Sequence, residues 1–225
     1  MCFSAEASFT GGIIIFSIGI ATVKNIHNPS QLVFAIIPLF FGIQQITEGF
    51  LWLSLQNPEF SNIQKLTSTI FLIMAEVLWP MIIPLSVLLM EDNNNKKQIL
   101  RIFLGLGILL AIYYAYCIMN FNVNPKIVGY HIQYNNDFPI AFRNLAFAVY
   151  LIATIAPLFV SSIKKMHYFG ILMFLSCLIT ALFFVQYLTS VWCFFAAFIS
   201  VVIFWILKDS KKTFSFEMAN LLKNN

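Results

Sequence analysis

Seven apolar segments of membrane-spanning length divide the chain and constrain its fold more than any other feature. They lie at 8–23, 31–55, 66–90, 99–119, 140–160, 168–186 and 189–207. Polar stretches separate the first six, whereas 168–207 carries no formal charge and is divided near Gln186. A helix needs about 20 mostly apolar residues to cross the hydrocarbon core of a bilayer. The pattern predicts one all-α integral membrane domain over 1–225, a bundle of about seven transmembrane helices with a polar tail at 208–225.

Composition agrees with a membrane protein and excludes a soluble domain. Hydrophobic residues make up 60% of the chain and charged residues 10%. Soluble domains have about 45–50% apolar and about 25% charged residues. The net charge of +4 is spread over separate loops, so we expect the lipid bilayer as the partner and no nucleic acid. The polar stretch 120–139 reads as a long loop.

The basic residues predict the orientation in the membrane. Of the 13 lysines and arginines, ten fall in loops on one side of the predicted bundle. They are Lys24, Lys96, Lys97, Arg101, Lys164, Lys165, Lys208, Lys211, Lys212 and Lys223. Cytoplasmic loops carry an excess of Lys and Arg. We therefore expect the N-terminus outside and the C-terminus inside.

The second segment contains the most unusual residues for a membrane span. Its stretch 41–53 reads FGIQQITEGFLWL and carries Gln44, Gln45, Glu48 and Trp52. Helical spacing of three or four residues places these side chains on one face. A carboxylate inside a membrane is costly and by default marks a functional site. We therefore predict a ligand or proton site on this face.

The third segment carries a second carboxylate, Glu76, followed by Trp79 and Pro80. Proline has no backbone N–H, so the carbonyl of Glu76 is expected to lose its helical partner. A freed carbonyl in a membrane helix must be satisfied by a neighbour, a water or a bound group. Pro38 is expected to kink the second span for the same reason.

The predicted orientation brings these polar groups to the outer half of the membrane. Arg143 and Asn144 lie about one turn inside the fifth span, and Ser190, Trp192 and Cys193 begin the seventh. We expect Arg143 to pair with Glu48 and Glu76 in an outward-facing pocket. The predicted ligand-binding set is Gln44, Gln45, Glu48, Trp52, Glu76, Trp79, Arg143, Asn144 and Trp192.

The cysteines suggest a different chemistry. Removal of Met1 would leave Cys2 with an adjacent amine, and an amine–thiol pair can act as an activated nucleophile. The catalytic candidates are thus Cys2 or Cys193 as nucleophile and Glu48 as general base. No Cys or His spacing typical of a metal site occurs, and no cofactor motif is present. We expect neither a metal nor a cofactor.

Four segments carry a resemblance to a known family: MCFSAEASF at the start, FGIQQITEGFLWL, AEVLWP and VWCFFAA. They resemble an uncharacterised family of bacterial multi-pass membrane proteins that begin MCFSA and carry an FGxQQxxEGxxW segment. The resemblance covers most of the chain, implies a place in the plasma membrane of a bacterium (its inner membrane) and implies no activity. It singles out Cys2, Phe3, Ser4, Gln44, Gln45, Glu48, Gly49, Trp52, Glu76, Trp79, Trp192 and Cys193.

Three classes of function remain open. The first is a protein that binds or transports a small polar or amphipathic ligand in a pocket around Glu48, Glu76 and Arg143. The second is a membrane-embedded enzyme that acts on a lipid or isoprenoid substrate through Cys2 or Cys193. The third is an accessory or structural subunit whose polar residues serve packing. The carboxylates in the spans favour the first class, because no complete catalytic constellation accompanies them.

Overall fold

Helices form most of the chain in a computed structural model that describes residues 3–183, 190 and 195–223, with side chains to residue 209. The helices are α1 (Ala5–Val23), α2 (Leu32–Ala35), α3 (Ile37–Gln56), α4 (Gln64–Leu72), α5 (Trp79–Met90), α6 (Asn94–Asn120), α7 (Ile140–Val160), α8 (Lys164–Phe183) and α9 (Ala196–Lys223). Two 3-10 turns lie at Pro29–Gln31 and Pro58–Ile63, and a π-helix joins α4 to α5 at Ile73–Leu78. Two strands follow α6, β1 (Val123–Val128) and β2 (His131–Asn136).

Six helical segments among the described residues are long and apolar enough to cross a membrane. They are Ala5–Val23, Pro29–Gln56, Pro58–Met90, Asn94–Asn120, Ile140–Val160 and Lys164–Phe183. Six of the seven predicted spans are thereby confirmed as candidate membrane helices. These six helices indicate a multi-pass membrane protein. The turn near Gln186 lies outside the described residues, and the seventh span lies partly outside them, so that span stays a prediction.

Local sequence accounts for where the helices begin and break. Ser4 caps α1 by accepting a hydrogen bond from the Ala7 N–H, and Asn93 caps α6 in the same way. These side chains satisfy N–H groups that a helix leaves without an internal partner. Between α2 and α3 the helix breaks at Ile36, because Pro38 in the first turn of α3 has no N–H to continue the ladder. The break lies within two residues of Pro38, where a kink was expected.

Small residues let α1 and α3 pack closely. A Cβ atom at Gly42 of α3 would lie 2.8 Å from Cβ of Phe16 in α1, and one at Gly12 of α1 would lie 2.7 Å from Cγ1 of Ile46. Both separations are shorter than atoms in contact tolerate. Glycine at these positions therefore brings the backbone of α1 against the helix that carries Glu48.

The stretch 120–139 is not the irregular loop that its polar composition suggested, and the all-α expectation needs correction. β1 and β2 form an antiparallel hairpin with Val128 opposite His131. Gly129 has a φ of 62°, a left-handed conformation that glycine adopts without steric cost in a two-residue turn. Strand β2 buries Ile132 completely in a cluster with Ala5, Leu51 and Trp52.

This hairpin covers one end of the bundle, where α1 begins and α3 ends. We call this the hairpin end. The apolar side of β2 continues the core there, since Tyr134 stacks on Phe71 of α4 with ring centroids 5.0 Å apart. The hairpin therefore lies directly above the helix face that carries Glu48 and Trp52.

A buried carboxylate ties the bundle together at the opposite end. Glu91, just after α5, is 1% exposed and its Oε1 accepts a hydrogen bond from the N–H of Asn93, at 3.0 Å. Its Oε2 accepts one from the N–H of Ser162, at 2.6 Å, in the connection from α7 to α8. Burial acts to raise the pKa of this carboxyl, but the hydrogen bonds from Ser162 and Asn93 and the charge of Lys96 outweigh it and lower the pKa.

Candidate functional site

The four side chains predicted to share a face of the second span are all buried. Gln44, Gln45 and Glu48 are 0% exposed, and Trp52 is 2% exposed. They follow one another at helical spacing along α3, and we call these four residues the α3 polar cluster. Amide and carboxyl groups rarely face the interior of a membrane bundle unless other polar groups meet them.

Ser190 meets the carboxyl group of this cluster. The Oγ of Ser190 donates a hydrogen bond to Oε1 of Glu48, at 2.6 Å, and both residues are fully buried. The bond joins α3 to a residue 142 positions later in the chain. Sequence reasoning placed Ser190 near the outer face but left it out of the binding set. The predicted topology places Ser190 at a depth similar to that of Glu48, and this similarity could have identified Ser190 as a site residue.

Two buried hydrogen-bond donors close to Glu48 along the helix axes have no acceptor among the described residues. They are Nε1 of Trp52 and Oγ of Ser8 in α1. Ser8 was not predicted as a site residue. Its neighbour Phe9 packs over Gly49, which follows Glu48, so Ser8 and Glu48 lie at the same level of the helix pair. A buried donor left without a partner costs about 1–3 kcal/mol, and a bound molecule that accepts a hydrogen bond would remove that cost.

Trp79 connects the cluster to the third span. Its Nε1 donates a hydrogen bond to Oε1 of Gln44, at 2.9 Å. Its ring stacks on Phe41 with centroids 4.1 Å apart and an interplanar angle of 28°. The structure thus brings Trp79 together with Gln44 of the α3 polar cluster, while a role of Trp79 in ligand binding stays a prediction.

The backbone at Glu76 differs from the expected proline-broken α-helix. Residues Ile73–Leu78 form a π-helix, in which each N–H bonds to the carbonyl five residues earlier instead of four. Pro80 lies in the first turn of α5, just after this π-helix, and has no N–H to donate. The hydroxyl of Tyr150 in α7 donates to the Ala75 carbonyl oxygen at 2.7 Å. The freed carbonyl of Glu76 stays a prediction, while the carbonyl of the preceding residue has its donor in another helix.

Glu76 lies in the π-helix, and that turn packs against α6. The Oε2 of Glu76 is buried without a hydrogen-bond partner in the described part of the chain. Glu76 therefore borders α6, whereas Glu48 is held by Ser190.

Arg143 does not join these carboxylates. Arg143 and Asn144 are exposed, and the first buried residue of α7 is Ala146, so the first turn of α7 lies outside the packed core. Within the described residues, the ion pair that forms is between Lys165 and Asp209, and none joins Arg143 to Glu48 or Glu76. The expected charge-paired cluster of Glu48, Glu76 and Arg143 is absent.

The remaining candidates lie beyond the described part of the structure. Cys2, Trp192 and Cys193 fall outside the described residues, so the nucleophile hypothesis stays a prediction. The described cysteines, Cys117 and Cys177, are buried free thiols. Among the described residues, no group of three or more His, Cys, Asp or Glu side chains is placed to hold a metal ion.

Comparison with known proteins identifies a family whose function is unknown. A family model described as "Family of unknown function (DUF6629)" matches residues 1–217. No curated protein matches the chain, and no solved structure matches it. The match agrees with the resemblance to an uncharacterised family drawn from the sequence.

Proposed function

The chain belongs to DUF6629, a family of unknown function, and from that premise we propose that it binds or transports a small polar or amphipathic ligand at the α3 polar cluster. The observation that carries the proposal is the complete burial of Glu48 in a membrane-length helix. Ionisable groups at such positions are rare and mark substrate, ion or proton pathways. A packing role alone would be served at lower cost by an apolar side chain.

The polar groups around Glu48 favour a ligand that both donates and accepts hydrogen bonds. The carboxylate of Glu48 accepts, while Nε1 of Trp52 and Oγ of Ser8 are buried donors without an acceptor among the described residues. The rings of Trp52 and Phe9 supply apolar surface. A small molecule with a polar or cationic group and an apolar body fits this mixture.

Glu76 is a second polar residue of the proposed site. It lies three residues before Trp79, whose Nε1 donates a hydrogen bond to Gln44. A π-helical turn within an α-helix is often found at a functional site, and Glu76 lies inside such a turn. We place Glu76 in a supporting role, because its Oε2 has no hydrogen-bond partner among the described residues, whereas Oε1 of Glu48 accepts from Ser190.

A thermal-stability screen in detergent tests the proposal. The full chain is heated with and without a library of polar metabolites and lipids, beside the variants Glu48→Gln and Glu59→Gln. Glu59 is an exposed glutamate of the Pro58–Ile63 turn, so its variant removes the same charge outside the core. We expect a ligand to raise the melting temperature of the wild type and of Glu59→Gln but not of Glu48→Gln.

The contrary result would favour the accessory class. If no compound shifts the melting temperature and Glu48→Gln is as stable as the wild type or more so, Glu48 serves packing and the binding proposal fails. An enzyme acting through Cys2 or Cys193 would be indicated instead by covalent modification of either thiol by a substrate.

The proposal includes the orientation, with the N-terminus and the hairpin end outside a bacterial plasma membrane. It rests on the excess of Lys and Arg at the opposite end. Tyr130 at the hairpin turn is 77% exposed, and Asn94 at the start of α6 is exposed at the opposite end. In intact cells, and in a background in which Cys2, Cys117, Cys177 and Cys193 are replaced by serine, a membrane-impermeant maleimide should label the variant Tyr130→Cys but not Asn94→Cys. The reverse pattern would overturn the orientation.

A further inference from the structure

A cavity of about 400 Å³ opens at the hairpin end, between the start of α4 and the end of α6. Polar side chains dominate its walls, and β1 forms one side. Its lining residues are Ser61, Gln64, Lys65, Ser68, Thr69, Ile118, Met119, Asn120, Phe121, Asn122, Val123, Asn124 and Pro125. The cavity is distinct from the α3 polar cluster, since it shares none of that cluster's residues.

The charge in this cavity is of one sign. Lys65 is its cation, and no aspartate or glutamate is among the described residues that line it. Lys65 forms no ion pair with any described residue. An uncompensated ammonium group within a polar cavity favours an anionic ligand.

Several lining side chains are available as donors. Ser61 and Asn120 already donate to the backbone carbonyls of Pro58 and Tyr116, and Ser68 donates to that of Lys65. By contrast, no described hydrogen bond engages the side chains of Gln64, Lys65, Thr69, Asn122 or Asn124. The cavity thus combines one positive charge with unengaged amide and hydroxyl donors, which suits the oxygens of a phosphate group.

The apolar surface beside the cavity suits a ligand with a hydrocarbon part. Met119 is 84% exposed, Leu66 is 60% exposed and Ile70 is 37% exposed. These residues belong to the helices that flank the opening, in segments of membrane-spanning length. An amphiphile would place its phosphate in the cavity and its chains along this surface.

We propose that this cavity binds the phosphate group of an anionic ligand, with Lys65 as its counter-charge. The phosphate could belong to a lipid headgroup or to a water-soluble phosphate ester, and both would use the same donors. The proposal does not depend on the function assigned to Glu48.

Native mass spectrometry of the full chain in a neutral detergent tests it with two lipids, phosphatidylglycerol and phosphatidylcholine. We expect the wild type to retain phosphatidylglycerol in preference to phosphatidylcholine. The variant Lys65→Gln should bind phosphatidylglycerol about tenfold more weakly, the loss typical of one charge-assisted hydrogen bond. Lys126→Gln is the matched control, because Lys126 is an exposed lysine of β1 that does not line the cavity.

Competition by soluble glycerol 3-phosphate distinguishes a lipid headgroup from a water-soluble phosphate ester as the source of the bound phosphate. If it displaces the lipid from the wild type, the site accepts a water-soluble phosphate ester; if it does not, the site requires the lipid. The proposal is overturned if neither probe binds, if Lys65→Gln retains the lipid as well as the wild type, or if both lysine variants lose it equally.

Discussion

The hydroxyl of Tyr150 lies 2.7 Å from the carbonyl oxygen of Ala75 and donates a hydrogen bond to it. Ala75 lies in the π-helix Ile73–Leu78, which is followed by Pro80, a residue without an N–H to donate. The bond ties α7 to the turn that carries Glu76. The distorted turn is thus held from outside its own helix.

Removal of this hydroxyl should weaken the fold. Tyr150→Phe leaves a carbonyl in the bundle without its hydrogen bond, and we expect the free energy of unfolding to fall by about 1–3 kcal/mol. Denaturant titration in detergent measures this. Tyr116→Phe serves as control, because Tyr116 is 60% exposed. An equal effect of both variants would contradict the assigned role of Tyr150.

Two glycines of α6 should respond in opposite ways to alanine. A Cβ at Gly107 would overlap the carbonyl oxygen of Pro80, whereas one at Gly105 would meet no atom within 4 Å. Gly107→Ala should destabilise by about 1–3 kcal/mol through overpacking. Gly105→Ala should be neutral or stabilise by up to about 1 kcal/mol, because alanine is the better helix former. Equal melting temperatures for the two variants would mean that α5 and α6 do not approach as described.

The spans could be predicted because hydrophobic length alone sets them, and helical spacing predicted that Gln44 and Glu48 share a face but not that this face is completely buried. The hairpin was missed because the polar composition of 120–139 indicated a loop, although Val123 and Ile127 before Gly129, and Ile132 and Tyr134 after it, alternate with polar residues as in a strand. The π-helical turn could not be predicted either. A proline in the sequence indicates a missing N–H donor, but it does not indicate that the turn before it is π-helical rather than α-helical. Arg143 was misplaced because charge complementarity does not reveal which face of α7 packs inward.

The hairpin should control access to the α3 polar cluster. Ile132 is completely buried, and Ile132→Ala should cost about 2–5 kcal/mol of local stability. We expect faster amide hydrogen exchange at the start of α1 and the end of α3, which the hairpin covers. Val128→Ala is the control on the same hairpin, since Val128 is 37% exposed. Unchanged exchange in Ile132→Ala would show that the hairpin does not protect these helix ends.

Glu91 should make the stability depend on pH at the end opposite the hairpin. Its pKa is lowered in the folded protein, so its contribution is fully present above about pH 4.3, the ordinary value of a glutamate. The contribution is lost as the pH falls through the lower, folded pKa. Glu91→Gln should lower stability at neutral pH by about 1–3 kcal/mol and flatten the loss in acid. Asp92→Asn, at the exposed neighbouring position, should keep the wild-type profile, and a profile of Glu91→Gln parallel to the wild type would argue against this role.

The most direct test of the binding proposal is the affinity of a ligand found in the stability screen, measured by isothermal titration calorimetry on the wild type, Glu48→Gln and Glu59→Gln. If the ligand binds at the α3 polar cluster, Glu48→Gln should bind it at least about tenfold more weakly, as loss of a charged hydrogen bond implies. Glu59→Gln should bind it as the wild type does. Equal affinity of the wild type and Glu48→Gln would contradict the account, because the ligand would then occupy a site that does not involve Glu48.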